Sequence, residues 1–378
     1  MGIVSTLIRF LHFALPTATS SSKITAVDRR RKAIVSLLVG AFVLLLLHVS
    51  LIVVCESSRL LRDPLYADKE RKLGRLEASL PPGSPEIVFL GTSRAGNGFD
   101  AGRAQALASA KLGSPVLVFN WGIPGAGPVT HLIHMRRILQ DGHRPSLLLL
   151  EILPSSLAVV PGGSLESRLC EGDTLDWSEL DWLGNYGYPV DRLHEERRAV
   201  LEAPWFELRT KIVGRLRPTM LPYNSRYDWS RGPDINGWCP IVEEKWAEEQ
   251  RAEALKRTRS EYADLLANMQ FDDAAAHALR EVIAVAQRAE IPVRLVRMPE
   301  ASHFRSFYPP TVAANIERFL NELAHEFGCR CCNASTWMAD DSFVDWHHMW
   351  PKHAGIFTEK LTRVEIEPFL QSVTEGSP

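Results

Sequence analysis

The chain has 378 residues and a formal net charge of −2, from 43 basic against 45 acidic residues. A protein that binds nucleic acid needs a concentrated basic face, so this near-neutral balance predicts no nucleic-acid partner. The length accommodates a membrane segment, a linker and one large domain.

Residues 33–55 form an uninterrupted stretch without Lys, Arg, Asp or Glu. At about 1.5 Å of rise per residue, a helix of this length crosses a hydrocarbon core of roughly 30 Å. A cleaved signal peptide has a shorter apolar core of roughly 7–15 residues, so the stretch predicts a retained transmembrane helix. Four cations at positions 29–32 directly precede it. They predict a single-pass protein of the cell membrane, with residues 1–32 cytoplasmic and the C-terminal domain exported, periplasmic or extracellular.

Residues 56–84 are charged at first and then rich in Pro and Gly, which is typical of a linker or stalk. The remaining residues, 85–378, are predicted to form the functional domain. Within it, residues 157–270 interrupt the pattern of the chain, with six Trp among many charged residues and prolines. We expect a mostly helical insertion there, either a lid or partner surface or an ordinary packed excursion.

Five short apolar runs alternate with amphipathic stretches in the domain. Runs that are apolar on both faces are typical of central strands in a parallel sheet covered by helices. The alternation predicts a three-layer α/β/α sandwich with a mainly parallel five-stranded sheet, flavodoxin-like in type, whose ligands lie beyond the carboxyl ends of the strands. The five runs are residues 86–90, 116–119, 146–152, 293–298 and 329–332.

Six cysteines leave two interpretations open. In an exported domain they could form disulfides, for example Cys170 with Cys239. Cys329, Cys331 and Cys332 could instead ligate zinc, although structural zinc sites favour two or more residues between paired ligands and a second pair elsewhere. Their spacing fits a strand better.

Three short sequences fall where these strands end. Gly-Thr-Ser-Arg, with Ser93, follows the first run, and Asn-Trp-Gly-Ile-Pro-Gly, with Asn120 and Gly122, follows the second. Asp345 stands three residues before His348, past the fifth run. A serine hydroxyl becomes a nucleophile when an imidazole takes its proton, and an acid must hold the imidazole in the correct tautomer. This order of residues therefore predicts a hydrolytic triad.

Together these blocks resemble those of the SGNH (GDSL-like) hydrolase superfamily, and the resemblance spans residues 86–360 outside the insertion. It implies that Ser93 is the nucleophile, His348 the general base and Asp345 its orienting acid. It also implies an oxyanion hole formed by the backbone N–H groups of Ser93 and Gly122, with Asn120 as a further donor. The alternatives are that Ser93 caps the following helix, that Gly122 is only a turn glycine and that the neighbouring His347 is the base.

One block of the superfamily is absent. A G-x-N-D sequence should follow the third strand, but Glu-Ile-Leu-Pro-Ser-Ser stands at residues 151–156. The asparagine side chain that normally donates to the oxyanion is therefore missing. Asn120, Asn97 and Ser155 are the candidate replacements, and the sequence does not choose among them.

Two further site predictions concern ligands. Arg305 follows the fourth strand and is predicted to bind an anionic or sugar-linked group, with a surface salt bridge as the alternative. We expect no cofactor and no metal. The alternative is a divalent ion held by acidic and imidazole groups near the triad: Asp340, Asp341, Asp345, His347, His348 and His353.

The sequence thus predicts a membrane-anchored serine esterase or O-acyltransferase acting on acylated envelope polysaccharide or a related ester. Membrane-anchored relatives that resemble the alginate and teichoic-acid modification proteins use this fold to move acyl groups on envelope polymers, so the resemblance implies a membrane acyl-transfer protein as a candidate partner. A non-catalytic scaffold or polysaccharide-binding subunit with the same fold is the alternative, and the missing block favours it.

Overall fold

The computed structural model describes residues 26–160, 164–222, 232–242 and 246–375. The chain divides into two compact units, Met1–Val53 and Val54–Pro378. The described part of the first unit belongs to helix α1 (Ala26–Ser57), whose residues Val27–Ser57 are long and apolar enough to cross a membrane. Most of its apolar side chains are exposed, whereas Cys55, near its C-terminal end, is buried.

The second unit is built on one five-stranded sheet, which confirms the predicted fold class. All four strand pairs are parallel, and the strand order is β2-β1-β3-β4-β5. At the carboxyl edge of the sheet, Gly91 pairs with Gly122 and Leu90 pairs with Leu150. Ser93 and Glu151 therefore emerge beside each other. The strands are β1 (Glu86–Gly91), β2 (Leu117–Gly122), β3 (Leu147–Glu151), β4 (Val293–Arg297) and β5 (Arg330–Asn333).

The two faces of the sheet bury separate hydrophobic cores. In β1, Val88 and Leu90 pack into one core, while Ile87 and Phe89 pack into the other. Alternate residues of a strand point to opposite faces, so a run that is apolar at every position requires helices on both sides. This explains the three layers.

Helices cover both faces of the sheet and also form the segment between β3 and β4. On one face lie α6 (Pro128–Gln140), α13 (Asp273–Arg288) and α15 (Pro310–Phe327), and on the other lie α4 (Ser93–Gly98), α5 (Ala101–Leu112), α16 (Pro351–Leu361) and α17 (Glu367–Glu375). The segment between β3 and β4 contributes α7 (Leu165–Leu169), α8 (Trp177–Leu183), α9 (Val190–Glu202), α10 (Pro204–Glu207), α11 (Arg209–Leu216) and α12 (Glu248–Ala267). A four-residue helix, α14 (Ser302–Arg305), follows β4.

The predicted stalk is largely helical, so that prediction needs correction. Residues 59–77 form α2 (Arg59–Arg62) and α3 (Pro64–Glu77), which belong to the same compact unit as the sheet. Tyr66 and Leu73, 1% and 0% exposed, lie seven residues apart on one face of α3. Between them Lys69, 2% exposed, donates to the backbone oxygen of Asn120 at 2.9 Å. The stalk interpretation failed because this lysine looked like a solvent-facing charge.

All six cysteines are free thiols, and Cys170 is not bonded to Cys239. In β5, Cys332 is buried and Arg330 is exposed. The run at residues 329–332 thus contributes a strand, as its spacing predicted, but the buried strand that was expected is a mostly exposed edge strand, in which only Cys332 is buried.

Candidate active site

The nucleophile candidate stands at the first turn of α4, directly after β1. Thr92 has extended backbone angles and its hydroxyl oxygen accepts from the N–H of Arg94 at 3.1 Å. Thr92 therefore caps the helix, and the side chain of Ser93 is left for another partner. Ser93 is partly exposed between two fully buried neighbours, so its hydroxyl faces solvent-accessible space.

That partner is His348. The Oγ of Ser93 lies 2.8 Å from Nε2 of His348, and Nδ1 of the same ring lies 2.8 Å from Oδ2 of Asp345. An ionised carboxylate can only accept, so Nδ1 carries the proton and Nε2 is the acceptor for the Ser93 hydroxyl. The structure thus brings together three residues that the sequence placed in one triad, and in the tautomer that general-base catalysis requires.

The electrostatics of Asp345 suit an orienting acid. Burial raises the pKa of its carboxyl, but the nearby imidazoles of His348 and His347 and the hydrogen bonds from His348 outweigh burial and hold the pKa below its usual range. The backbone N–H of His348 donates to Oδ1 at 2.8 Å, so both carboxylate oxygens bind the same residue. The carboxylate therefore stays ionised and fixes the ring position.

The loop that carries this acid and base is tightly constrained. Trp346 has a φ of 75°, in the left-handed region that a bulky residue rarely adopts. Its carbonyl accepts from the N–H of Ala301 at 2.9 Å, and its ring stacks on His303 at 5.4 Å. The N–H of Val344 donates to the carbonyl of His348 at 2.9 Å and closes the turn. These contacts hold the strained backbone in place beside Asp345 and His348.

His347, the alternative base, has a different environment. Its ring is buried against Tyr262 and Phe304, each with centroids 5.3 Å away. Burial and the neighbouring His348 lower the pKa of His347 to about 3, so the ring is neutral near pH 7. The imidazole hydrogen-bonded to Ser93 is that of His348.

The predicted oxyanion donors are only partly placed for that role. The N–H of Ser93 opens α4 and has no hydrogen-bond acceptor within the parts of the chain that the structure describes. The N–H of Gly122, however, donates to Oδ1 of Asn120 at 2.9 Å, and the Asn120 amide donates to the carbonyls of Ala95 and Phe99 at 2.8 and 2.7 Å. Asn120 is fully buried. The assignment of Gly122 and Asn120 as donors to an oxyanion therefore needs correction.

Close packing explains the glycine at position 122. A Cβ there would lie 2.4 Å from the backbone of Gly96 and 2.9 Å from the carbonyl oxygen of Thr92. The amide of Asn120 then ties β2 to α4, so the two residues fix the helix that carries Ser93 rather than facing the substrate. Of the other candidate donors, Asn97 donates to the carbonyl of Cys239 at 2.7 Å, and Ser155 lines a cavity next to Ser93.

A buried ionic network beneath the nucleophile was not predicted. Glu151 takes the place of the missing third block, and its Oε2 accepts from the N–H of Thr92 at 2.6 Å. Burial raises the pKa of Glu151, opposed by the charge of Arg94. Arg94 in turn bonds Glu300 at 3.2 Å and the carbonyl of Pro299 at 2.8 Å. These contacts join β1, β3 and the end of β4 under Ser93. In the sequence, the position of Arg94 directly after Ser93 was the feature that could have indicated this network.

Two cavities meet at the triad, with volumes of about 300 Å³ and about 420 Å³. Ser93 lines the first cavity, Asp345 and His348 line the second, and His347 lines both. The first is lined mainly by apolar groups: Ala126, Leu153, Ala158, Val160, Tyr262 and Leu265. The second is more polar: Gln250, Glu253, Arg257, Thr258 and Glu261.

Helix α12, from the insertion, separates the two cavities. Glu261 and Tyr262 line both of them. Because its apolar positions are few, the helix is by default expected to be solvated. The structure places it over the triad instead, so the insertion forms part of the site.

Glu166, also from the insertion, closes the first cavity on another side. Its carboxylate accepts from the N–H of Gly127 at 3.0 Å and from the N–H of Thr130 at 2.9 Å, at the start of α6. Burial raises the pKa of this carboxyl, and the hydrogen bonds from Thr130 and Gly127 oppose that effect. The helix N-terminus is therefore occupied by a carboxylate of the chain itself.

Arg305 does not reach the site. Its guanidinium donates to the carbonyls of Glu300 and Ser335, the latter at 3.1 Å, and it lines neither cavity. The predictions of a substrate contact and of a surface salt bridge both need correction, because the arginine binds backbone at the end of β4.

One group of metal-binding side chains occurs among the described residues, and it coincides with the triad. Asp345, His347 and His348 place ligand atoms within 4.8 Å of one another. The other residues of the metal alternative, Asp340, Asp341 and His353, are outside this group. Since His348 already bonds both Ser93 and Asp345, an ion held here would displace the hydrogen bonds of the triad.

Comparison with known proteins gives similarity of fold at low scores. No family model matches the chain, and no curated protein matches it. Among solved structures, AlinE4, an SGNH-hydrolase family esterase, is 14% identical with a TM-score of 0.28, over 66% of this chain and 76% of that one. A point mutant of the same esterase is 14% identical with a TM-score of 0.30, over 79% and 99%. BT4096, a gut microbial diltiazem-metabolizing enzyme, is 12% identical with a TM-score of 0.32, over 75% and 47%.

Proposed function

We propose that the chain is a serine-dependent ester hydrolase or acyltransferase, held at the membrane by α1. The observation that carries the proposal is the continuous hydrogen-bonded series from Ser93 through His348 to Asp345, with both links at 2.8 Å. A buried, ionised carboxylate holds the imidazole in the orientation in which it can take the proton of a serine hydroxyl.

The reaction follows from these positions. Ser93 Oγ attacks the acyl carbon while its proton moves to Nε2 of His348, and the resulting imidazolium is stabilised by Asp345. The negative charge on the carbonyl oxygen faces the backbone N–H of Ser93. Collapse of the tetrahedral intermediate breaks the C–O bond, and the departing alcohol takes the proton from His348. Water or a second hydroxyl then removes the acyl group from Ser93 by the reverse sequence.

The two cavities support an assignment of the two halves of the ester. The first, with apolar walls next to Ser93, suits the acyl group, because burying apolar surface is favourable. The second, polar and on the side of His348, suits the alcohol that leaves with the proton of that imidazole. A hydroxyl-rich alcohol such as a polysaccharide fits a cavity lined by Gln250, Glu253 and Arg257.

Membrane anchoring and export complete the proposal. The apolar length of α1 and the cations at positions 29–32 favour a cytoplasmic N-terminus and an exported domain. An acylated envelope polysaccharide or related ester would then be the substrate, and a membrane acyl-transfer protein a partner that supplies the acyl group. Hydrolysis and transfer differ only in whether water or a hydroxyl accepts it.

A non-catalytic scaffold or polysaccharide-binding subunit is the second candidate. One observation favours it: the N–H of Gly122 donates to the side chain of Asn120 and is not free to bind an oxyanion. Among the described residues, the N–H of Ser93 is therefore the one oxyanion donor identified. Loss of one such donor costs about 10²–10³ in kcat in a serine protease.

A fluorophosphonate probe distinguishes the two candidates. We expect the probe to label the full chain and Ser93→Ala to abolish labelling, since the activated hydroxyl is the group that reacts. Ser156→Ala is the matched control, because Ser156 lines the same cavity while its hydroxyl donates to the carbonyl of Leu153 at 2.7 Å. Folded wild-type protein that resists the probe, or labelling that survives in Ser93→Ala, would contradict the enzymatic proposal and favour the scaffold. Turnover of esters with and without an added polysaccharide acceptor then separates hydrolase from transferase.

A further inference from the structure

A group of large apolar side chains is exposed at α10, α11 and the turn that follows them. Trp205 is 46% exposed, Phe206 60%, Leu216 77% and Met220 69%. Single exposed apolar residues are ordinary, but several within one short segment mark a surface that meets another apolar phase.

The segment is amphipathic. On α11, Lys211 and Gly214 are buried, whereas Arg209 and Leu216, seven residues apart on one helical face, are exposed. The guanidinium of Arg209 lies over the ring of Phe206 at 3.7 Å, which joins the exposed face of α11 to that of α10. Two cations of this segment, Arg209 and Arg217, are exposed, so the outer face combines apolar side chains with positive charge. The other two, Lys211 and Arg215, are paired with acids on the inner face.

Contacts of the buried face of α11 fix its position along the chain. Lys211 donates to the carbonyl of Arg62 at 2.9 Å, and Arg215 donates to the carbonyl of Leu60 at 3.1 Å. Leu60 is itself 44% exposed. It stands three residues after Ser57, where α1 ends. The exposed apolar surface therefore lies beside the segment that leaves the apolar helix.

The reach of the chain places this surface near the membrane if α1 spans it. Leu60 lies five positions after Cys55, the last residue of the uncharged stretch. Because α1 continues to Ser57, the segment between them spans less than about 17 Å, the length of a fully extended chain. The polar headgroup layer adds roughly 5–8 Å on each side of the hydrocarbon core. Trp together with Arg is characteristic of protein surfaces at that boundary, where the ring enters the apolar edge and the cation meets phosphate.

We propose that α10, α11 and the turn at Pro218–Met220 dock on the phospholipid surface, with Trp205, Phe206, Leu216 and Met220 entering the headgroup boundary and Arg209 and Arg217 facing lipid phosphates. The proposal rests on the membrane anchoring included in the proposed function and is independent of the catalytic chemistry. Docking would hold the catalytic unit in one orientation on the bilayer, instead of leaving it tethered by α1 alone.

Photo-crosslinking of the full chain in phospholipid nanodiscs tests the proposal. The photoreactive residue p-benzoylphenylalanine replaces Phe206 in one variant and Ile356 in the control. Ile356 is 49% exposed on α16, so the two sites match in exposure and apolar character. We expect lipid adducts at position 206 in roughly tenfold excess over position 356, because a side chain at the headgroup boundary has acyl chains as neighbours.

A third site, Leu45, separates the docking proposal from the anchoring on which it rests. Leu45 is 58% exposed on α1. Lipid adducts at Leu45 but equal, low yields at positions 206 and 356 would overturn docking and leave anchoring intact. A lack of adducts at all three sites would overturn both, and an adduct of position 206 with a second protein chain would replace the lipid surface by a protein partner. The readout needs no ester turnover, so a failed catalytic proposal does not affect it.

Discussion

Replacing the orienting acid, Asp345→Asn, tests the geometry of the triad most directly. Asn is nearly isosteric, so the loop and its contacts should persist. The amide nitrogen of Asn would donate to Nδ1 of His348, which forces the proton onto Nε2. An Nε2–H faces the Ser93 oxygen at 2.8 Å and cannot accept its proton. The nucleophile therefore remains a neutral hydroxyl.

The expected loss is about 10⁴-fold in kcat, the size of the same change in a serine protease. At about 1.36 kcal/mol per factor of ten, this corresponds to roughly 5.4 kcal/mol of transition-state stabilisation. The assay is hydrolysis of a chromogenic acetyl ester by the full chain in detergent. KM should change little, because the nearly isosteric Asn leaves the walls of both cavities in place.

Asp341→Asn is the control, because Asp341 is an exposed acid four residues earlier in the same connection and outside the triad. It should retain activity. An Asp345→Asn protein that is folded by circular dichroism yet loses less than about tenfold in rate would refute the reasoning, since the imidazole would then not depend on this acid for its tautomer.

Three further outcomes are expected. Gly122→Ala should lower the free energy of unfolding, measured in urea, by about 1–3 kcal/mol, because its Cβ would lie 2.4 Å from the backbone of Gly96. The control Gly102→Ala should not destabilise the fold, because the nearest atom to its Cβ would be 3.6 Å away. Equal effects of the two substitutions would contradict the packing argument. Tyr262→Ala should merge the two cavities and weaken the discrimination between acetyl esters and longer acyl esters. The measurement is kcat/KM for a series of esters of increasing acyl length, and the differences between them should become smaller. Unchanged differences would show that Tyr262 is not part of the wall that contacts the acyl group. Stability should fall as the pH drops below about 6.5, because burial lowers the pKa of His131 to about 4 and of His134 to about 3, so that the unfolded chain binds protons first. Each histidine contributes up to about 1.4 kcal/mol per pH unit until its folded pKa is reached, and urea midpoints that stay constant from pH 7 to 4.5 would contradict this.

Some elements could be predicted from the sequence because their signals are local. Within the runs that became β1 and β3, residues 87–90 and 147–150 are apolar at consecutive positions, which is typical of a sheet covered on both faces. Asp345 and His348 lie on a single turn, so the sequence alone brings acid and base together. Placing Ser93 next to these two residues required one long-range assumption, that parallel strands end at a common edge of the sheet.

Other features depend on tertiary contacts that the sequence does not encode locally. The Asn-x-Gly pattern is the same whether the amide faces a substrate or, as here, the carbonyls of Ala95 and Phe99. Helix α12 looks solvated because its sequence, EEQRAEALKRTRSEYADLLA, is rich in charged residues, and Tyr262 alone gave no sign of the cavity it lines. In α3 the buried charge of Lys69 concealed an interior face, since its partner is a carbonyl 51 residues away.

The separation of the catalytic groups along the chain has a consequence for biogenesis. Ser93 and His348 are 255 residues apart, and the base is supplied after the last strand of the sheet. If the domain is exported from the N-terminus as we propose, Ser93 reaches the far side of the membrane long before His348 does. The proposed triad would then be incomplete throughout translocation, and it would form only after the loop at residues 345–349 has been exported. Nascent chains stalled before this loop would lack esterase activity, however well their first strands had assembled.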